Sequence, residues 1–292
     1  MTAPGRRHRC GTMTGMTRLP ATAPVLVTGC SSGIGRAVVE HLLRGPRPVW
    51  ATARQPDSLD QLATKGARVL ALDVTDEASM VAAVRAVEAE HGAVGALVNN
   101  AGYGEYGPVE EVPIDAVRRQ FETNVFGLLR LTQLVLPAMR SAGRGRIVNV
   151  SSMGGRMTLP GGGVYHASKY AVEALSDALR FETRGFGVVV SVVAPGPVRT
   201  AFAEEATDPG PDEGPYAEFM RGVAARNGAS YGGGRGLLEP DAVADAIVAA
   251  IESGRPKARY PVGLVGREVV GARRLLPTAL WDAALRRQYP TP

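Results

Sequence analysis

Six short, continuously apolar runs recur at 24–28, 48–53, 68–72, 96–99, 146–150 and 188–193, with helical patterns near 34–44, 76–90, 113–141 and 165–184 between them. Runs that are rich in Val and lack polar alternation suit strands covered on both faces. Strands that alternate with helices need crossover connections. The expected fold is therefore α/β, a doubly wound parallel sheet in three layers.

After Ala194 the pattern loosens. Residues 201–236 are rich in Gly, Pro, Asp and Glu, with a short helix expected around 216–225. A helix then begins at Glu239-Pro240-Asp241, with Pro in its first turn, and runs to about Ser253. Arg259–Val262 reads as a last strand. There is no internal repeat and no low-complexity linker. The expected organisation is a disordered or weakly ordered extension over 1–22, one domain over 23–265 with an insertion at 200–236, and a helical extension over 266–292. That last segment carries Leu276, Leu280, Trp281, Ala284 and Leu285 at helical spacing. Its apolar face is expected to pack on the body or a partner subunit, with an anionic membrane surface as the lesser reading.

The formal charge of +5 is concentrated at the ends. Residues 1–20 hold four arginines and no acid, and residues 266–292 hold five arginines against Glu268 and Asp282. The body between them is slightly acidic, so nucleic-acid binding is not expected. Cys10 and Cys30 form neither a disulfide framework nor a metal-ligand cluster, and no metal site is expected. No apolar run approaches the ~18 residues of a transmembrane helix, and the basic N-terminus is not followed by an apolar core. The expected location is cytoplasmic. Met13 and Met16 precede the first strand and are candidate true starts.

The first run ends in Thr28-Gly29-Cys30-Ser31-Ser32-Gly33-Ile34-Gly35-Arg36, and a helical pattern follows at once. Glycines at 29, 33 and 35 permit a tight turn, close approach of a ligand to backbone, and amides aimed at phosphate from a helix N-terminus. The same residues match the G-x-S-x-G elbow of serine hydrolases. That arrangement needs a histidine late in the chain, after the acid, and no histidine follows His166. The nucleotide-loop reading stands.

Joined to Asn99-Asn100-Ala101-Gly102, Ser152, Tyr165-x-x-x-Lys169 and Pro195-Gly196-x-x-x-Thr200, this loop makes the chain resemble the short-chain dehydrogenase/reductase family from about residue 23 to 262. The segment at 99–113 resembles the retinoid- and steroid-type branch. The resemblance implies a Rossmann-type fold, a nicotinamide dinucleotide, and a catalytic set of Asn124, Ser152, Tyr165 and Lys169. It also implies that Asn124 anchors Lys169 through water. Ser152 is chosen over Ser151 because the family's serine lies thirteen residues before its tyrosine. Implied cofactor contacts are Gly29, Ser31, Ser32, Gly33, Ile34 and Gly35 in the loop, Asp73 and Val74 at the adenine, and Asn99, Ala101 and Gly102 beyond it. Tyr165, Lys169, Pro195, Gly196, Val198 and Thr200 complete them, and the insertion at 200–236 becomes the substrate loop.

The side chains agree with that chemistry. Residues four apart share a helix face, so Lys169 can place its ammonium below the Tyr165 ring. At about 4 Å and an effective dielectric near 20, the charge would stabilise a phenolate by roughly 4 kcal/mol and bring Tyr165 near ~7. Adjacent helical residues diverge by about 100°, so His166 is read as a bystander. Met153, Met157, Tyr103 and Tyr106 are candidate pocket-lining residues.

A carboxylate at the end of the second run would bind the ribose hydroxyls of NAD. That run ends in Ala53 and is followed by Arg54, which suits a 2′-phosphate. NADP is therefore favoured over NAD, with Arg36 as a second candidate contact. The expected function is NADP-dependent hydride transfer to or from a carbonyl or secondary alcohol, of a hydrophobic substrate. The alternative is a catalytically silent dinucleotide-binding sensor. A homodimer or homotetramer is implied by the resemblance, through the helices at 113–141 and 165–184.

Overall fold

The computed structural model describes residues 18–202, 204, 213–233 and 236–291. The expected N-terminal extension lies outside the described residues as far as position 17. Seven strands form one sheet: β1 (Val25–Val27), β2 (Val49–Ala53), β3 (Arg68–Ala71), β4 (Ala96–Asn99), β5 (Gly145–Val150), β6 (Val188–Pro195) and β7 (Arg259–Val262). Their order is β3-β2-β1-β4-β5-β6-β7, and every neighbouring pair is parallel.

Val25 and Val27 face one side of the sheet, packing with Val38 and Leu42 of α1 (Gly33–Leu42) and with Val243, Ile247 and Ile251 of α8 (Pro240–Glu252). The intervening Leu26 faces the other side. There it meets Met80, Val84 and Val87 of α3 (Glu77–His91) and Leu131, Val135 and Met139 of α5 (Leu128–Ser141). Each such side chain, fully buried, contributes roughly 1.5–3 kcal/mol. Burial on both faces is why these strands lack a polar alternation.

The remaining helices are α2 (Asp60–Thr64), α4 (Ile114–Phe121), α6 (Gly163–Glu182), α7 (Ala217–Tyr231), α9 (Leu264–Leu275) and α10 (Thr278–Arg286). The single helix expected over 113–141 is α4 and α5 joined by a π-helical turn, Glu122–Gly127. Gly127 sits on Val74, where a Cβ would overlap the Val74 carbonyl oxygen. The helix expected around 216–225 runs on to Tyr231.

Residues ahead of β1 and after β7 both lie against the body. Leu19 is buried, and Arg47 donates to the carbonyls of Leu19 and Pro20 while pairing with Glu252. At the other end Trp281 is buried, and Tyr289 packs with Met220 and Val223 of α7. Among the described residues no helix is long and apolar enough to cross a membrane.

Candidate active site

The order of the sheet reverses between β1 and β4, where helices leave for opposite faces and a crevice opens. Thr28 and Asn100 tie the two strand ends together. The Thr28 hydroxyl accepts from the amides of Asn100 and Ala101, both at 3.0 Å. The Asn100 side chain donates to the carbonyls of Thr28 (2.9 Å) and Gly29 (3.1 Å). Gly29 and Gly33 take φ of 70° and 54°, the left-handed region that favours glycine. Gly35 is needed for a different reason: a Cβ there would overlap the Gly29 carbonyl oxygen. Ser32 caps α1 in an extended conformation without a side-chain cap bond, which leaves the first amides of the helix for an anionic ligand.

The crevice holds a cleft of about 1020 Å³. Gly29, Ser31, Ser32, Gly33 and Ile34 line its floor, and Ala53, Arg54, Asp73 and Val74 line the end beside β2 and β3. Ala101 and Gly102 follow from β4, and Pro195, Gly196, Val198 and Thr200 from β6. The Asp73 carboxylate is held by the amide and hydroxyl of Thr75, at 2.9 and 2.8 Å. Among the described residues Arg54 has no hydrogen bond or ion pair, and it is exposed at the cleft edge. Arg36 turns instead to Gln61 and Glu40, so the structure does not bring it to the cleft.

Two further expectations are corrected. Asn99 does not reach the cleft: it is buried in β4, donating to Asn149 (2.9 Å) and Thr132 (3.1 Å). Its neighbour Asn100, just past the strand end, lines the cleft in its place. Gly35 lies one step inside α1 and serves the packing of that helix rather than the cleft lining.

Ser152, Tyr165 and Lys169 converge at the carboxyl edge of β5. Ser152 follows the strand in extended conformation, its Oγ accepts from Gly154 N at 3.0 Å, and it lines the cleft with Tyr165. Lys169 Nζ donates to Val150 O at 3.0 Å and lies 5.9 Å from the Tyr165 ring centroid. Asn124 sits in the π turn, where it exchanges hydrogen bonds with the Tyr103 backbone (3.1 and 2.9 Å) and donates to Ser168 Oγ (3.1 Å). Ser168 in turn donates to the Tyr165 carbonyl at 2.7 Å. A carbon added to Gly102 would sit 2.8 Å from Asn124 Oδ1 and 3.6 Å from Lys169 Nζ, so both groups face that glycine.

The titration behaviour differs from the expectation that Lys169 would bring Tyr165 near neutrality. Burial pushes the Tyr165 phenol well above its usual range, opposed by the Ser152 hydroxyl, and the neighbouring Tyr231 adds to the rise. Burial also lowers Lys169 to about 8. Burial also disfavours the ammonium, and at Tyr165 it outweighs the Lys169 charge. Tyr165 therefore holds its proton at neutral pH.

The opposite wall is aromatic. Tyr106 stacks on Tyr165 at 5.8 Å, Phe202 lies 5.1 Å from the same ring, and Tyr231 is hydrogen-bonded to Tyr106. Tyr103 lines the cleft as expected. Met153 packs behind the cleft residue Gly196 rather than among the lining residues, and Met157 is fully buried in the interior. His166 is a packing residue: Nδ1 accepts from Leu159 N at 3.2 Å, and its ring fills space over Gly154 and Gly162. Burial lowers it to about 4. Phe202 and Tyr231 were not singled out from the sequence. Phe202 has a weak signal in following Thr200, while Tyr231 has none, since it closes a helix in the loosely patterned insertion.

These residues fit a nicotinamide dinucleotide. Gly29 and Gly33 bare the backbone of the floor, the first amides of α1 are left without a side-chain cap, and β2 itself ends in Ala53, with Arg54 next and no acid. Residues 23–210 match the short chain dehydrogenase family. The chain is 40% identical over 266 residues to the uncharacterized oxidoreductase YbbO of Escherichia coli strain K12, covering 90% of this chain and 93% of that one. It is 35% identical over 292 residues to bovine (Bos taurus) 17-beta-hydroxysteroid dehydrogenase type 6, covering 92% and 89%, in keeping with a steroid dehydrogenase-like branch. Among solved structures it is similar to a short chain dehydrogenase from Burkholderia cenocepacia J2315 in complex with NADP, with TM-score 0.73, 26% identity, and coverage of 94% and 100%. A matched family, a crevice at the sheet's reversal and an Asn-Ser-Tyr-Lys group on its rim lead to one assignment: the chain belongs to the short-chain dehydrogenase family and is an NAD(P)-dependent oxidoreductase acting between CH–OH and C=O groups.

Proposed function

We propose that this protein is an NADP-dependent reductase of hydrophobic ketones in which Tyr165 is the proton donor. The observation that carries this reading is the Tyr165 phenol, gathered with Ser152 and Lys169 at the cleft and kept protonated by burial. A bound nicotinamide would supply the hydride. The carbonyl carbon accepts that hydride while the carbonyl oxygen takes the Tyr165 proton. An alkoxide is about as basic as hydroxide, so even a phenol with a raised pKa gives up its proton to one. Ser152 orients the oxygen and stabilises charge developing on it. Lys169 is largely cationic at neutral pH, and supports the phenolate left behind. Asn124 positions this group through Ser168 and the backbone at Tyr103.

Cofactor choice follows from Ala53 and Arg54. No carboxylate at the end of β2 meets a ribose, and the Arg54 guanidinium suits a phosphate. The NADP-bound relative from Burkholderia supports the same choice. The aromatic wall favours an apolar substrate, and the bovine relative is named for hydroxysteroids. A homodimer or homotetramer is part of the proposal, through exposed Phe126 beside α5 and Tyr170 and Phe181 on α6.

The test is loss of reduced-nicotinamide absorbance with purified protein and a panel of ketones, aldehydes and quinones. Tyr165→Phe is expected to lower kcat about 10³-fold while NADPH binding is kept. Unchanged activity in that variant would refute the mechanism, and no turnover across the panel would favour a silent sensor. Ala53→Asp is expected to move the preference from NADPH towards NADH by tenfold or more, at about 1.4 kcal/mol per tenfold. Tighter binding of NADH than NADPH by the unsubstituted protein would sink the cofactor assignment.

A further inference from the structure

Among the described residues nothing covers three leucines of α9 and α10. Leu264 and Leu275, eleven residues apart, fall within about 20° of each other on α9. They are 71% and 84% exposed, and Leu280 at the start of α10 is 57% exposed. The turn between the helices, Leu276-Pro277-Thr278-Ala279, brings Leu275 and Leu280 to one tip, where Pro277, Thr278 and Ala279 are also exposed, while Leu264 lies about 16 Å back along α9. The opposite side of the pair is anchored. Gly266 packs against Gly196 and Met153, Trp281 is buried, and Arg273 lies over the Trp281 ring at 5.8 Å.

Charge identifies the occupant. Residues 264–287 carry Arg267, Arg273, Arg274, Arg286 and Arg287 against Glu268 and Asp282. Among the described residues Arg274, Arg286 and Arg287 have no ion pair and are exposed. A second copy would bring two such basic faces together, which like-charge repulsion opposes. An exposed leucine tip with Arg274 beside it and Arg286 and Arg287 at the far end of α10 instead fits a surface that offers both acyl chains and phosphates.

We propose that α9 and α10 dock this protein on an anionic lipid surface, with Leu275 and Leu280 entering the interface while Arg274, Arg286 and Arg287 meet lipid phosphates. Gly266 rests on Gly196, a residue of the cleft lining, so the docking helices adjoin the cleft that would take an apolar substrate. That consequence rests on the substrate reading above. The docking itself does not.

Sedimentation of the full-length protein with vesicles tests it, in the absence of substrate and cofactor. Binding is expected to vesicles of phosphatidylcholine containing about 30% phosphatidylglycerol, to be weak with phosphatidylcholine alone, and to fall as salt shortens the Debye length below ~10 Å. Leu275→Asp with Leu280→Asp is expected to weaken binding tenfold or more. Arg274→Glu with Arg286→Glu and Arg287→Glu should weaken it about a hundredfold, since each surface arginine is worth about fivefold. NADPH binding kept in both variants shows that they are folded. Equal binding to both vesicle types, no binding to either, or unchanged binding in the charge variant would overturn the proposal. So would self-association without vesicles that the leucine pair abolishes, because a second copy would then cover these leucines. Vesicle binding and ketone turnover are read separately, so failure of one is distinguishable from failure of the other.

Discussion

The two ends of the cleft are built from different materials. The cofactor end is built on backbone: Gly29, Gly33 and Gly35 admit contacts that any Cβ would obstruct, and the Thr28 hydroxyl and Asn100 side-chain amide fasten the strand ends by bonding to main-chain groups. The substrate end is side chain: Tyr106, Phe202 and Tyr231 reach Tyr165 from three separate segments. Backbone construction leaves few solutions, so it appears in sequence as fixed glycines at fixed spacing. A wall of side chains can be rebuilt with other residues at little cost to the sheet.

The comparison is broken most severely at Gly35. Gly35→Ala is expected to destabilise the protein by about 3 kcal/mol or more and to abolish NADPH binding, because α1 must move off Gly29. Urea unfolding and fluorescence titration would show it; a variant that binds NADPH normally would refute backbone control of that end. The next effect depends on pH and belongs to a packing residue 5.6 Å from the Tyr165 ring. His166 has its folded pKa lowered from 6.5 to about 4, so the unfolded chain takes up the proton first. Stability therefore falls as pH drops from 6.5 towards 4, by roughly 2 to 3 kcal/mol. His166→Gln should remove that slope from unfolding curves measured across the window. The smallest effect sharpens the contrast. Tyr231→Ala is expected to change KM for bulky ketones about tenfold, as for a few methylenes in an apolar pocket, with the Kd of NADPH unmoved. A matching change in NADPH affinity would show that the two ends are not independent.

Legibility followed the same division. The strands were readable because each is covered on both faces, and the loop and the Tyr165 and Lys169 pair were readable from spacing. Asn99 and Asn100 were confused because a step of one residue at a strand end moves a side chain to the other face. In β4 that step separates a hydrogen bond to Asn149 inside the sheet from a place on the cleft. The state of Tyr165 was misjudged because spacing gives the neighbour but not the burial, and here burial outweighs the ammonium. Tyr231 left no trace, since its place depends on how the insertion folds back over the site.

The π turn at Glu122–Gly127 has a consequence for phase. The buried positions Ala116, Gln120, Asn124, Leu128 and Thr132 are spaced four apart through this stretch. In an uninterrupted α-helix four such steps would rotate the last side chain about 160° from the first. The wider turn takes up much of that drift, so one rod can aim an amide at the reactive group and, further along, a row of hydrocarbon at the sheet. Removing a single residue between 122 and 127 would leave both ends helical and point one of them the wrong way.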